Sequence, residues 1–366
     1  MKLKEICDYL NSEIPLSFQE EYDNSGLQVG IPDMEISSAL VTLDVTEDVL
    51  EEAAAAGCNL IISHHPLIFY PLKKITHSTY TEKIIFSAIK KNIAIYSAHT
   101  NLDSFPEGVS HRMALKLGLK NITVLSPLKN RLLKLVTFVP DVHLPAVRQA
   151  LFDAGAGVTG KYDQCSFSVG GTGSFRAGDG TNPFVGEKHT LHFESESRLE
   201  TVFHSHLKNK VVRALLDAHP YEEVAYDIYS LENESADSGS GCLGELDDPL
   251  PVEGFIRLLS EVFDAKGIRY SGYDKKIKRV ALCGGSGSHL LGEAIASGAD
   301  SFVTGDVKYH TFQSAGKEIL LVDCGHYETE KFSAEILAEL VIKKFPKFAV
   351  RFSKINTNPI NYLRNG

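Results

Sequence analysis

Cys58-Asn59-Leu60-Ile61-Ile62-Ser63-His64-His65-Pro66 is an apolar run that ends in a polar tetrad. Glu47 to Ala56 before it has helical patterning, and Gly57 supplies a helix stop. Residues 40–45 lie one step further upstream and read as another strand. On the other side, 79–91 read as helix and 93–98 as a third strand. Short apolar strands separated by helices indicate parallel β-α-β units with both sheet faces covered. The last 125 residues repeat the style, with strands at 278–283, 300–304 and 319–323 and helices at 289–297 and 329–344. Glu52–His65 (EAAAAGCNLIISHH) and Glu293–Asp306 (EAIASGADSFVTGD) share a Glu, Ala positions, a Gly and an apolar run at one offset. The expectation is an α/β host built from a duplicated β-α-β module, with the two copies in the same strand order.

The middle of the chain differs. A strand at 132–139, a helix at 144–154, strands at 189–194 and 198–203, a helix at 207–218 and a strand at 223–231 give β-α-β-β-α-β, a ferredoxin-like α+β pattern. The Gly-rich stretch containing Gly170-Gly171-Thr172-Gly173 is left outside these elements. The reading is a discontinuous host, 1–128 and 242–366, carrying an inserted domain at 129–233 with 234–241 as a polar exit linker.

The 366 residues carry 37 Lys and Arg against 47 Asp and Glu, a net charge of −10. Hydrophobic residues are 43%, enough apolar surface for packed cores rather than disorder. No apolar run approaches the roughly 18–20 residues that span a bilayer. The opening Met1-Lys2-Leu3-Lys4-Glu5-Ile6 has no long apolar core of a secretory signal. The acidic balance disfavours general nucleic-acid binding. Six dispersed cysteines, none in a CxxC pair, read as reduced thiols in a cytoplasmic protein.

The chemistry gathers at strand ends, where open α/β sheets bind ligands. Adjacent residues on an extended backbone point to opposite sides, so His64 and His65 suit two ions, one each, better than one shared ion. His99 and Asp103 follow the third strand. His326 and Glu330 follow a C-terminal strand and run into a helix, where i and i+4 share a face. Three imidazoles (His64, His65, His326) and two carboxylates (Asp103, Glu330) suit zinc first, with iron, manganese or nickel as alternatives, over calcium or magnesium. His99 is a group that orients Asp103, a substrate contact or a structural histidine, with the first two favoured. Cys283-Gly284-Gly285-Ser286-Gly287-Ser288 is either an anion cradle or a tight strand-to-helix turn. Lys308 and His310 are candidates to meet a substrate phosphate or move a proton. Asp306 reads most simply as a helix cap.

Ser63-His64-His65-Pro66-Leu67-Ile68-Phe69, Ala98-His99-Thr100-Asn101-Leu102-Asp103, Gly325-His326-Tyr327-Glu328-Thr329-Glu330 and Tyr22-Asp23-Asn24-Ser25-Gly26-Leu27-Gln28-Val29-Gly30 together resemble the Nif-three-like family, whose bacterial members are called GTP cyclohydrolase type-two homologues. Tyr22 stands where a Trp is common. The resemblance implies two divalent metal ions per chain on His64, His65, Asp103, His326 and Glu330, a toroidal homohexamer, and an insert similar to PII and CutA proteins, entered at Gly160–Phe167. It also implies hydrolytic opening of the GTP imidazole ring, on a nucleotide-like ligand. The competing expectation is a ring-shaped scaffold or regulator whose insert binds an effector.

Overall fold

The computed structural model of the chain describes residues 1–129, 131–233 and 238–363. These fall into two compact units, Met1–Pro127 with Asp237–Gly366, and Leu128–Ala236.

The first unit opens with α1 (Leu3–Glu13), β1 (Gly26–Val29), β2 (Ser38–Thr42), α2 (Glu47–Ala55), β3 (Leu60–Ser63), α3 (Tyr80–Lys90) and β4 (Ala94–Ser97). It continues through α4 (Thr100–Asp103), α5 (Val109–Lys116) and β5 (Lys120–Pro127). The second unit holds β6 (Leu132–Pro140), α6 (Leu144–Asp153), β7 (Ser166–Arg176), β8 (Leu191–His204), α7 (Lys208–Ala218) and β9 (Tyr226–Leu231). The chain then returns to the first unit through β10 (Gly239–Leu250), α8 (Val252–Phe263), β11 (Arg269–Tyr270), β12 (Ile277–Leu282), α9 (Leu291–Ala296), β13 (Ser301–Thr304), α10 (Tyr309–Ala315) and β14 (Leu320–Asp323). It closes with α11 (His326–Glu330), α12 (Ser333–Lys344) and β15 (Ala349–Phe352).

The first unit has two sheets, ordered β1-β4-β3-β2-β15 and β11-β14-β13-β12-β10-β5. Each contains a module of three parallel strands, β4-β3-β2 and β14-β13-β12, with one antiparallel strand on the same side, β1 on β4 and β11 on β14. The shared strand order is the outcome that a duplicated module requires. The strand that follows each module crosses over: β5 joins the second sheet through β10, and β15 joins the first through β2.

Strict alternation along the parallel strands explains the layering. Ala39, Val41, Leu60, Ile62, Ala94 and Tyr96 of one sheet face the same central core as Val280, Leu282, Val303, Leu320 and Val322 of the other. That core also takes the buried stripes of α1, α5, α8 and α12. The intervening residues turn outward. Leu40, Ile61 and Ile95 pack under α2 and α3, while Ala281, Phe302 and Leu321 pack with α9 and Ala315 of α10. Strands buried on both faces must be apolar throughout, which is why 60–62 and 320–322 are unbroken Leu, Ile and Val.

In the second unit the sheet order is β7-β8-β6-β9, every pair antiparallel, with α6 and α7 packed on one face. The element order is β-α-β-β-α-β, but two of its strands differ from the sequence expectation. The Gly-rich stretch is itself β7, paired along its whole length with β8. Residues 191–194 and 198–203 of the two expected strands belong to one fourteen-residue strand, β8, and 189–190 lie before it. Glycine weakens strand propensity, and the polar Ser195-Glu196-Ser197 interrupts the apolar alternation, so local pattern misassigned both. The expected helix 329–344 is two helices, α11 and α12. Of the expected linker, 234–237 lie outside the described residues, and Gly239–Gly241 open β10 instead, where Gly239, Ser240 and Cys242 pair with β5. No helix among the described residues is long and apolar enough to cross a membrane.

Phe302 is fully buried between the second sheet and its outer helices. Phe302→Ala is expected to cost about 3–5 kcal/mol, read as a lowered urea midpoint. An unchanged midpoint would contradict the layering.

Candidate metal centre

The site groups follow three strands of the first unit, β3, β4 and β14. β3 ends at Ser63, whose hydroxyl bonds the His65 carbonyl oxygen at 2.9 Å and pairs with Ser97 Oγ at 2.8 Å. The amides of His64 and His65 then donate to Leu43 O, holding the turn against the end of β2. β4 is followed by His99 and the single turn α4, which carries Asp103. β14 is followed by Gly325 at φ 92 and by α11, whose first and last residues are His326 and Glu330.

Four imidazoles are anchored through Nδ1. His64 Nδ1 lies 2.8 Å from the carbonyl oxygen of Ala98. His65 Nδ1 lies 2.7 Å from Asp44 Oδ1, His99 Nδ1 is 2.8 Å from Asp23 Oδ1, and His326 Nδ1 is 2.7 Å from Asp306 Oδ2. A carbonyl oxygen or an ionised carboxylate only accepts, so each Nδ1 carries its proton and Nε2 is left to face inward. Such anchoring fixes the tautomer and orientation of metal-binding histidines.

Glu330 lies between these rings and is buried. Its Oε2 sits 2.8 Å from both His65 Nε2 and His326 Nε2, whose own separation is 3.3 Å. Its Oε1 faces His64 Nε2 at 3.8 Å, and Asp103 Oδ1 is 3.7 Å from the same nitrogen. Two sets of donor atoms, His65–His326–Glu330 and His64–Asp103–Glu330, each lie within 4.8 Å of one another; His64–His65–His99 forms a third.

The charges respond to this crowding. Burial opposes protonation of His65, but Asp44 and Glu330 on its two nitrogens push it up to about 10. His326 rises to about 9 against the same opposition, through Glu330 and Asp306. Burial lifts Asp103 to about 7, with His64 pulling it down and Glu330 pushing it up. Burial would also raise Glu330, yet His326, His64 and His65 hold it well below the usual carboxylate range. Burial opposes ionisation of Asp23 too, and His99 and Thr100 outweigh it.

The donor set fits a divalent transition metal. His64 Nε2 and Asp103 Oδ1 are buried with no hydrogen-bond partner, a costly state for polar atoms that a cation would relieve. The Gly-rich turn leaves room beside them: a Cβ on Gly285, at φ 59, would stand 1.9 Å from Glu330 Oε1.

A sequence profile of the Duf34/NIF3 (NGG1p interacting factor 3) family matches residues 1–359. The chain belongs to this family. It is 42% identical over 356 residues to a protein of Halalkalibacterium halodurans and 39% identical over 371 residues to one of Bacillus subtilis, both named "GTP cyclohydrolase 1 type 2 homolog". The first alignment covers 95% of each chain and the second 98% of each. The crystal structure of a Bacillus cereus protein related to NIF3 is similar with a TM-score of 0.86 at 39% identity, covering 99% of both chains.

Within this NIF3-family chain, the five residues expected as ligands, His64, His65, Asp103, His326 and Glu330, come together in one cluster. His99 adjoins it, with ring centroids 5.3 Å from His64 and 5.5 Å from His65. Lys308 is exposed at the start of α10, and His310 is exposed and paired with Gln313 of its own helix. The 283–288 stretch behaves as a tight turn. Three of its amides, Gly284, Gly285 and Gly287, already donate to Ser110, Thr329 and Thr304 hydroxyls. Asp306 holds His326 and does not cap α10, whose N-cap position is Lys308. Asp44 was not singled out from the sequence, where it fell inside the expected strand 40–45; the structure ends β2 at Thr42, so Asp44 stands past it as His64 and His65 stand past theirs. Asp23 was visible only as part of the N-terminal motif.

Gly285→Ala is expected to displace Glu330 and weaken divalent-metal binding about 10–100-fold, measured by competition with a chromophoric chelator; unchanged affinity would count against the cluster. Cation binding must expel the protons held by His65, His326 and Asp103, so affinity is expected to fall as pH is lowered from 8 to 6, by up to about tenfold per pH unit for each proton displaced. Metal binding indifferent to pH over that span would contradict this protonation pattern.

Proposed function

We propose that this chain is a metal-dependent hydrolase acting on a nucleotide or a related phosphorylated small molecule. The supporting observation is a buried carboxylate, Glu330, shared by two donor sets beside the unpartnered His64 Nε2 and Asp103 Oδ1. In this reading His65 and His326 would hold one divalent ion and His64 and Asp103 a second, with Glu330 available to either, and zinc is the first choice. A pair of divalent ions supplies Lewis acidity that activates water and offsets charge on a phosphorylated substrate.

The chain's own residues supply the rest. Asp44, Asp306 and Ala98 O keep the three ligating imidazoles in the Nδ1–H tautomer. His99, held by Asp23, would contact the substrate. Lys308 and His310 are further candidates for the phosphate end. Opening of the GTP imidazole ring is the reaction to test first, because relatives of this chain are named "GTP cyclohydrolase 1 type 2 homolog".

The same proposal covers a homohexameric ring, a cytoplasmic location and a PII/CutA-like origin for the second unit. Its β-α-β-β-α-β order and β7-β8-β6-β9 sheet support the ferredoxin-like part.

The test is metal content of protein purified without chelator, beside the H64A/H65A double variant, followed by GTP turnover read by mass spectrometry. About two metals per chain, lost with activity in the variant, is the expected outcome. A metal-free wild type that cannot be reconstituted would overturn the metal reading. A loaded protein inert toward nucleotides would overturn the hydrolase reading alone.

A further inference from the structure

The second unit contains a cavity of about 680 Å³, within the range of small-molecule sites. Its floor is the face of the sheet opposite α6 and α7. Register places Val169, Arg198 and Phe138 in one row across β7, β8 and β6, and Gly171, Glu196 and Pro140 in the next. Gly171 and Gly173 of β7 leave their part of that floor without side chains. Aromatic rings form the walls: Phe175 and Phe184 stand 6.0 and 6.2 Å from Tyr221, measured between ring centroids.

One charged group in the cavity is buried. Glu196 is only 8% exposed, although it lies on the lining. The Tyr221 hydroxyl donates to its Oε1 at 2.8 Å, and burial together with the Glu196 charge pushes that phenol up, so it remains a donor. Among the described residues no Lys or Arg pairs with Glu196. Arg198, on the same row system, gives its Nε to Glu200 instead. Glu222, at the rim, accepts from the Asn182 amide. His219 offers no cation either, since burial lowers it and its nitrogens are taken by Phe138 O and the Tyr221 amide. Room for the carboxylate comes from Gly173, where a Cβ would lie 2.1 Å from Glu196 Oε2.

A buried carboxylate without a cationic partner is costly. Aromatic faces attract cations, most strongly when these are desolvated. We propose that this cavity binds a small organic cation, an amine carried on a flat or apolar body, with its ammonium group on Glu196 and its body between Phe175, Phe184 and Tyr221. The site is built wholly within the second unit, so it stands or falls apart from the metal reading.

Tryptamine is a suitable probe, with its neutral alcohol counterpart, indole-3-ethanol, and ATP as comparisons, each titrated by calorimetry into the full-length protein. Saturable tryptamine binding is expected, at least about tenfold tighter than that of the alcohol. Glu196→Gln should remove that preference, and Gly173→Ala should weaken tryptamine by displacing the carboxylate. Unchanged melting temperature would show that both variants are folded. Should either fail to fold, the amine-to-alcohol comparison on the wild type still decides. No tryptamine binding up to about 10 mM, equal binding of amine and alcohol, or binding of ATP alone would overturn the proposal.

Discussion

A carboxylate can be buried only where donors or cations surround it. Glu330 meets that condition with imidazoles from both halves of the first unit: His64 and His65 from beyond β3, and His326 from its own helix. The local backbone accommodates this one group. Gly285 has no side chain where Oε1 lies, and Gly305 has none where the His326 backbone passes, since a Cβ there would stand 2.9 Å from it. Thr329 ties α11 to the Gly-rich turn through the Gly285 amide. Asp44 and Asp306 occupy the far sides of the two imidazoles nearest Glu330 Oε2, so the rings cannot rotate away without losing a charged hydrogen bond.

The duplicated architecture is what makes such a meeting point available. Two sheets of like order share a central core of helices, and each module sends its last strand across to the other sheet. Parallel strands end in one direction, so each sheet collects its polar residues along one edge. The two halves are not equivalent at that edge. Where β3 is followed by His64 and His65, β13 is followed by Gly305 and Asp306, which give space and a buttress instead of ligands. The first half thus contributes His64, His65 and Asp103, while the second contributes His326, Glu330 and the glycines around them.

The second unit treats a buried carboxylate differently. Glu196 has a phenol and a glycine beside it, and among the described residues no Lys or Arg pairs with it. Its surroundings are aromatic and concave. The same elementary cost, an ion removed from water, is met in one unit by a dense polar cluster and left open in the other to a molecule from solution.

Much of this was readable along the chain. Unbroken apolar strands of the Leu60–Ile62 kind announce sheets covered on both faces, and the constant offset between Glu52–His65 and Glu293–Asp306 announces the duplication. The five donor residues stand at strand ends, where local pattern alone marks them. Tertiary structure decided the rest, because distance in space is not encoded locally. It set which donors share Glu330 and assigned Asp44, Asp23 and Asp306 to the far side of each ring. It also made a tight turn of a glycine run that could equally have cradled an anion. In the second unit a glycine-rich stretch became a full strand because β8 supplied partners for its backbone, a long-range pairing that overrode a weak local propensity. Periodicity along the chain determined the layers; only the folded chain determined which charges meet, since that depends on groups such as His65 and Glu330, 265 residues apart.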